Sequence, residues 1–228
     1  AIIQEEEEAE ALQVPEVGAG RTGECLEGIR KIAEVTEDRP VFAGMIGPYS
    51  LAGRLLDMTE IMILCYEEPE MVETVLEKVT GFLCDYARAF KEAGAHGIVM
   101  AEPAAGLLSP GLFREFSVPY VKRICQAAEE AGLVMIYHNC GMVEPLLGDI
   151  ADIPAHGYSF GNAVNMETVL KQMPADRLVL GNIDPVGILR SGTPEAVKHA
   201  VTELLETCGK YDNFLLSSGC DIPPVTPL

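Results

Sequence analysis

Short apolar runs alternate with longer stretches of helical periodicity along the chain. Residues 40–46, Pro40-Val41-Phe42-Ala43-Gly44-Met45-Ile46, read as a buried strand. Residues 70–93 read as a helix. Val72, Val75, Leu76, Val79, Phe82, Leu83, Tyr86 and Phe90 recur at the spacing of one helical face. Gly94 follows as its C′ residue. Gly97–Ala101 is the next strand. Ser109 and Pro110 supply the N-cap and N1 of a helix that Gly132 ends. Leu133–His138 is a third strand, and Val143, Leu146, Leu147 and Ile150 make a short helix face after it. Gly157–Phe160, Leu178–Gly181 and Asn213–Leu216 read as three further strands. Thr193 and Pro194 open a capped helix running to about Cys208, with Gly209 behind it.

Continuous apolar strands separated by helices predict an α/β protein with a parallel sheet covered on both faces. An open doubly wound sheet and a closed barrel both fit that pattern. No glycine-rich phosphate loop follows any strand. Strands end instead in polar residues with chemical potential: Glu102, His138 and Cys140, Asn182 and Asp184, and Cys220. A site spread over many strand ends is the construction of a (β/α)8 TIM barrel. Such a barrel takes about 250 residues and eight strands. With six strands read in 228 residues, the expectation is one partial barrel domain over residues 1–228. One or two strands are expected to lie outside it, before Ala1. The Pro223–Leu228 run reads as the approach to a further helix.

Charge removes several partners. Acidic residues outnumber basic ones by 35 to 16, a net charge of −19. That disfavours nucleic acid and anionic membrane surfaces. With 48% apolar residues the chain has material for a core, so it is not a disordered acidic tail. No apolar run approaches the roughly 20 residues of a membrane helix. The acidic start lacks the basic segment of a secretory leader, and a cytoplasmic protein is expected. The Glu5–Glu8 run reads as a solvated helix start or loop. Seven irregularly spaced cysteines favour reduced thiols or metal ligands over a disulfide framework. Cys65, Cys84, Cys125 and Cys208 fall among apolar helical neighbours and read as core; Cys25 has no assignment. His96, His156 and His199 read as surface groups.

His138-Asn139-Cys140 lies at a strand end, where residues i and i+2 face the same way. Cys220, in Ser217-Ser218-Gly219-Cys220-Asp221, ends a later strand and would reach the same barrel mouth. One His and two Cys form a catalytic zinc set with an open fourth position, and thiolates favour zinc over magnesium or calcium. Two thiolates bring the bound ion close to neutrality. A substrate thiol in the fourth position would then stay electron-rich, which suits alkyl transfer to sulfur better than hydrolysis. Glu102 reads either as a substrate-orienting or proton-accepting group or as a hydrogen-bonded structural carboxylate. Asn182 and Asp184 read as lining the mouth or as capping the helix after Pro185.

These blocks resemble the uroporphyrinogen decarboxylase superfamily, within it the zinc-dependent cobamide methyltransferases. The resemblance runs through 44–52, Glu102–Pro110, 113–120, His138–Gly141, Gly181–Pro185, 192–195 and Gly219–Pro224. It implies a (β/α)8 barrel with zinc held at His138, Cys140 and Cys220. It implies transfer of a methyl group from a methylcobamide on a partner corrinoid protein to a thiol such as coenzyme M. Tetrahydrofolate as a pterin acceptor is one alternative, and tetrapyrrole decarboxylation, as in the other branch of the superfamily, is another. A third is a metal- or corrinoid-binding module without activity. The chain departs from the coenzyme M pattern at Asn162, where that pattern has an acidic zinc contact.

Overall fold

A computed structural model describes residues 2–227. Six parallel strands form one sheet: β1 (Phe42–Ile46), β2 (Gly97–Ala101), β3 (Val134–Asn139), β4 (Gly157–Phe160), β5 (Leu178–Ile183) and β6 (Phe214–Ser218). Their spatial order is their chain order. A doubly wound sheet reverses direction at a switch point. Here every strand joins on the same side of the last, which is the winding of a barrel wall. The strand alternation sorts the two faces. Ala43, Met45, Ile98, Met100, Met135, Tyr137, Tyr158 and Val179 are buried in the core. Phe42, Gly44, Ile46, Val99, Ile136 and Leu180 line a cavity on the concave side.

Ten helices accompany the sheet: α1 (Glu6–Ala11), α2 (Arg21–Val35), α3 (Pro48–Leu56), α4 (Glu60–Glu67), α5 (Pro69–Glu92), α6 (Pro110–Phe116), α7 (Val118–Glu130), α8 (Leu147–Ala151), α9 (Met166–Gln172) and α10 (Pro194–Cys208), counted among the described residues. The face read from the sequence of α5 is its buried one. Val72, Val75, Leu76, Val79, Leu83, Tyr86 and Phe90 are all core. Truncating one such leucine costs about 2–5 kcal/mol. Gly94 ends α5 with φ +97°, a conformation that favours glycine. Glu6–Glu8 are exposed in the first turn of α1. None of the described helices is long and apolar enough to cross a membrane.

One difference from the sequence expectations has a clear cause. The single helix expected between Ser109 and Gly132 is two helices that meet at Ser117. Ser117 N donates to Phe113 O at 3.1 Å, closing α6, and its carbonyl accepts Val121 N at 3.0 Å, opening α7. Pro119 has no N–H to continue the first ladder, so it sits in the first turn of the second helix. Pro223–Thr226 forms a turn, closed by Thr226 N on Pro223 O at 3.0 Å; Leu228 lies outside the described residues.

Candidate metal centre

β3 carries His138 in its last turn of alternation and delivers Cys140 just beyond its end. β6 delivers Cys220 two residues beyond its own end. One donor atom from each of the three lies within 4.8 Å of the others. Two close backbone approaches allow this convergence across the end of β4. A Cβ on Gly161 would lie 2.6 Å from Cys140 Cα, and one on Gly219 would lie 2.8 Å from Asn162 N. Any larger residue there would push the two cysteine loops apart.

Hydrogen bonds then fix the donors. His138 Nδ1 meets Ser159 Oγ at 3.0 Å, across the β3–β4 pairing that places these residues side by side. Nε2 is the nitrogen left for an ion. Such a partner on the remote nitrogen sets the tautomer of a metal-binding imidazole. Asn139, between the two ligands, is fully buried. Its Nδ2 donates to Glu102 O at 2.7 Å, and its Oδ1 accepts Gly141 N at 2.9 Å. The second bond folds an Asx turn around Cys140.

The electrostatics suit a cation. Burial lowers the pKa of His138, against the pull of Asp221, and so keeps the imidazole a neutral ligand. Burial raises that of the Cys140 thiol, and the Cys220 sulfur beside it adds to the rise. Two thiolates so close repel unless a positive ion lies between them. The donor chemistry, the shared reach and the satisfied second nitrogen of His138 therefore fit zinc. The three donors border a cavity of about 920 Å³ with a floor of Val99, Ile136 and Leu180 and with Arg54 on its wall.

The other expected site residues lie elsewhere. Glu102 is fully buried and does not line this cavity. Its Oε1 accepts Tyr49 N at 2.7 Å and its Oε2 accepts Ser50 N at 3.1 Å. It caps the N-terminus of α3 from another strand, and a Cβ on Gly47 would overlap its carboxylate. Burial raises its pKa to about 7, opposed by the Ser50 and Tyr49 hydrogen bonds. Asn182 Nδ2 donates to Gly161 O at 2.9 Å and Val164 O at 2.8 Å. Asp184 Oδ1 accepts Val186 N and Gly187 N at 2.9 and 2.8 Å, capping the π-helical turn Pro185–Arg190. Asn182, Asp184 and Asn162 line a separate cavity of about 380 Å³ against α9 and α10. This placement favours the structural alternative for Glu102, Asn182 and Asp184.

Residues 1–228 match the family described as uroporphyrinogen decarboxylase (URO-D). The chain belongs to that family. Among its relatives, the methylcobamide:CoM methyltransferase MtbA of Methanosarcina acetivorans is 31% identical over 229 residues, 99% of this chain and 66% of that protein. The methylcobamide:CoM methyltransferase MtaA of Methanosarcina barkeri is 33% identical over 207 residues, 89% of this chain and 59% of that protein. A solved methyltransferase from Methanosarcina mazei superposes with a TM-score of 0.86 at 31% identity, covering 96% of this chain and 64% of that one. The chain thus spans about two thirds or less of the length of the proteins it matches. The URO-D barrel assignment agrees with the unreversed strand order.

Sequence reading of this URO-D chain passed over Asn139, Ser159 and Arg54. The Asn-x-Gly spacing at Asn139 was a usable turn signal. Ser159 and Arg54 carried none, because strand register and helix direction place them. His96 and His156 are also more than surface groups. Their Nδ1 atoms accept Val41 N at 3.0 Å and Met135 N at 3.1 Å at the strand starts. Cys65, Cys125 and Cys208 are buried, Cys84 is half-buried and Cys25 is exposed.

Proposed function

We propose that the protein belongs to a corrinoid-dependent methyltransferase that moves a methyl group from a methylated corrinoid protein to a thiol acceptor. The observation that carries this reading is the convergence of His138, Cys140 and Cys220 within 4.8 Å at the mouth of the sheet. His138 Nε2 and the two cysteine sulfurs would hold zinc, which, when bound, offers an open position that favours the thiolate form of an acceptor. Ser159 holds the His138 ring, and Asn139 holds the Cys140 turn. The cavity beside them offers the acceptor an apolar floor of Val99, Ile136 and Leu180. The reaction forms a sulfur–carbon bond and breaks the cobalt–carbon bond of the donor, with the bonding pair staying on cobalt. Positioning the sulfur in line with that bond is the chain's contribution to rate.

The relatives named as methylcobamide:CoM methyltransferases support this branch over tetrapyrrole decarboxylation. The soft donor set favours a thiol over a pterin nitrogen as acceptor.

The test is metal analysis of the pure protein, followed by visible spectroscopy of methylcobalamin with candidate thiols. The expected results are one zinc per chain and demethylation that requires zinc. Full activity in metal-free protein, or zinc retained by the Cys140→Ala/Cys220→Ala variant, overturns the proposal.

A further inference from the structure

Seven cysteines are spread along the chain, and the fold sets two of them apart. Cys65, Cys125 and Cys208 are buried, Cys84 is half-buried and Cys25 is exposed. Cys140 and Cys220 are half-buried and border the same cavity, of about 920 Å³. A small solute entering that cavity reaches both thiols.

The two sulfurs lie within 4.8 Å of each other. That spacing leaves no room for another side chain between them. A rotamer change swings a thiol sulfur by roughly 3 Å, enough to close the distance to a disulfide bond of about 2 Å. The backbones beneath are held in place. A Cβ on Gly161 would lie 2.6 Å from Cys140 Cα, and one on Gly219 would lie 2.8 Å from Asn162 N. Gly161 and Asn162 are consecutive residues just after β4, so the two cysteine loops seat against one dipeptide. The pairing is a product of the fold. In an unfolded chain Cys125 is the nearer partner of Cys140, and Cys208 the nearer partner of Cys220.

We propose that Cys140 and Cys220 form a reversible disulfide when no metal is bound, a redox switch between a metal-binding and a closed form of the site. The pairing of the sulfurs stands on its own geometry; control by metal rests on the metal-centre reading above. The co-reactant is a low-molecular-weight disulfide. The thiolate of one cysteine attacks it, forming a mixed disulfide and releasing one small thiol. The thiolate of the other cysteine then attacks the protein sulfur of that mixed disulfide and releases the second small thiol. The two cysteine protons end on the two small thiols. The protein loses two electrons and the small disulfide gains them. The product leaves His138 as the remaining donor of the three, too few to hold zinc. A reducing dithiol reverses the step, and the closed form is protected from oxidation to sulfinic or sulfonic acid.

The test treats reduced, metal-free protein with oxidised glutathione in the absence of oxygen and maps its peptides by mass spectrometry. The expected result is a link between the peptides of Cys140 and Cys220, with two hydrogens lost, no glutathione kept at either residue, and full reversal by dithiothreitol. Cys140→Ser and Cys220→Ser should each keep glutathione on the cysteine that remains. Cobalt(II)-loaded protein supplies the metal arm, because its thiolate-to-metal charge-transfer band vanishes as the sulfurs leave the ion. There the link should form at least about tenfold more slowly and should track the loss of the band. In urea, links of Cys125 to Cys140 and of Cys208 to Cys220 should compete with it. Stable glutathione adducts in place of the link, or the same mixture of links with and without urea, overturns the disulfide. Equal rates with and without bound cobalt overturn control by the metal. Failure to bind cobalt overturns the metal-centre reading instead, while the link in metal-free protein still decides the disulfide.

Discussion

The two ends of β3 use histidine in different ways. At the C-terminal end, His138 Nδ1 meets Ser159 Oγ, and one ring nitrogen lies within 4.8 Å of donor atoms of Cys140 and Cys220. At the N-terminal end, Met135 N donates to Nδ1 of His156, which belongs to the start of β4. His96 repeats the arrangement one strand pair earlier, accepting Val41 N. Both lower histidines sit in the same Ala-His-Gly setting just before a strand. Their rings replace a backbone acceptor at the edge of the ladder, so they bolt neighbouring strands together. In barrel folds the C-terminal face carries chemistry and the opposite face carries stability. Here one residue type serves both ends, and the partner of Nδ1 separates the roles: a side chain that leaves a converging site open, or a backbone N–H that closes a ladder.

The strongest break of this comparison replaces histidine at each end in turn. His138→Ala should weaken zinc binding by about a hundredfold or more, since it removes a ligand rather than a supporting contact. His156→Ala should leave zinc affinity within about twofold. A competitive chelator titration reads both. Equal losses from the two variants would mean that the position of β3 as a whole governs the site, and the division of roles would be wrong.

The next effect concerns Glu102, which joins the upper end of β2 to α3. Its pKa is raised from 4.5 to about 7 by burial. The folded protein therefore holds a proton that the unfolded chain has already released. The stabilisation is complete below about 4.5 and is lost as pH rises to about 7. Glu102→Gln keeps the neutral shape and removes the titration. Urea unfolding at pH 5 and pH 8 should show wild-type stability falling by about 2–3 kcal/mol relative to Glu102→Gln. A constant difference between the two proteins would remove the buried proton from the account.

Asn139 sharpens the upper end further. Asn139→Asp can still accept Gly141 N, but it sets a carboxylate oxygen against the Glu102 carbonyl where an N–H donated before. Zinc affinity should fall about 10–100-fold, the range for groups that orient ligands. The cobalt(II) spectrum should shift at the same time, because the Cys140 sulfur moves. A fall in thermal stability with an unchanged spectrum would assign Asn139 to the fold alone.

Local chemistry was legible in the sequence, and pairing across strands was not. Ser109 and Thr193 were readable as N-caps, and their oxygens accept Leu112 N and Ala196 N. The β2 and β4 boundaries follow from apolar runs ended by glycine or a polar residue. Asp184 was readable as a cap because its partners are two and three residues away. Ser159 was invisible because its partner lies 21 residues away and meets it only through the parallel register. His96 was invisible for the same reason, with Val41 55 positions away along the chain. The convergence of Cys220 with His138 and Cys140 was within reach because all three sit at or just beyond the C-terminal ends of strands, and a barrel wall brings such ends to one side. The helix break at Ser117 was signalled by Pro119 and obscured by the apolar periodicity that continues through Val121 and Ile124.

The smallest expected effect tests the lower end on its own terms. His156→Ala leaves Met135 N without its partner at a half-buried position, a cost of about 1–2 kcal/mol. His156→Asn offers a side-chain oxygen close to where Nδ1 stood and should recover most of that loss. His96→Ala should cost less, because His96 is exposed and water can reach Val41 N. The two alanine costs should add, since the histidines bolt different strand pairs. Thermal unfolding of the three single variants and the double alanine variant measures this. If Asn fails to rescue Ala at position 156, the ring contributes by packing rather than by its acceptor nitrogen, and the contrast with His138 would then be one of shape rather than of hydrogen bonding.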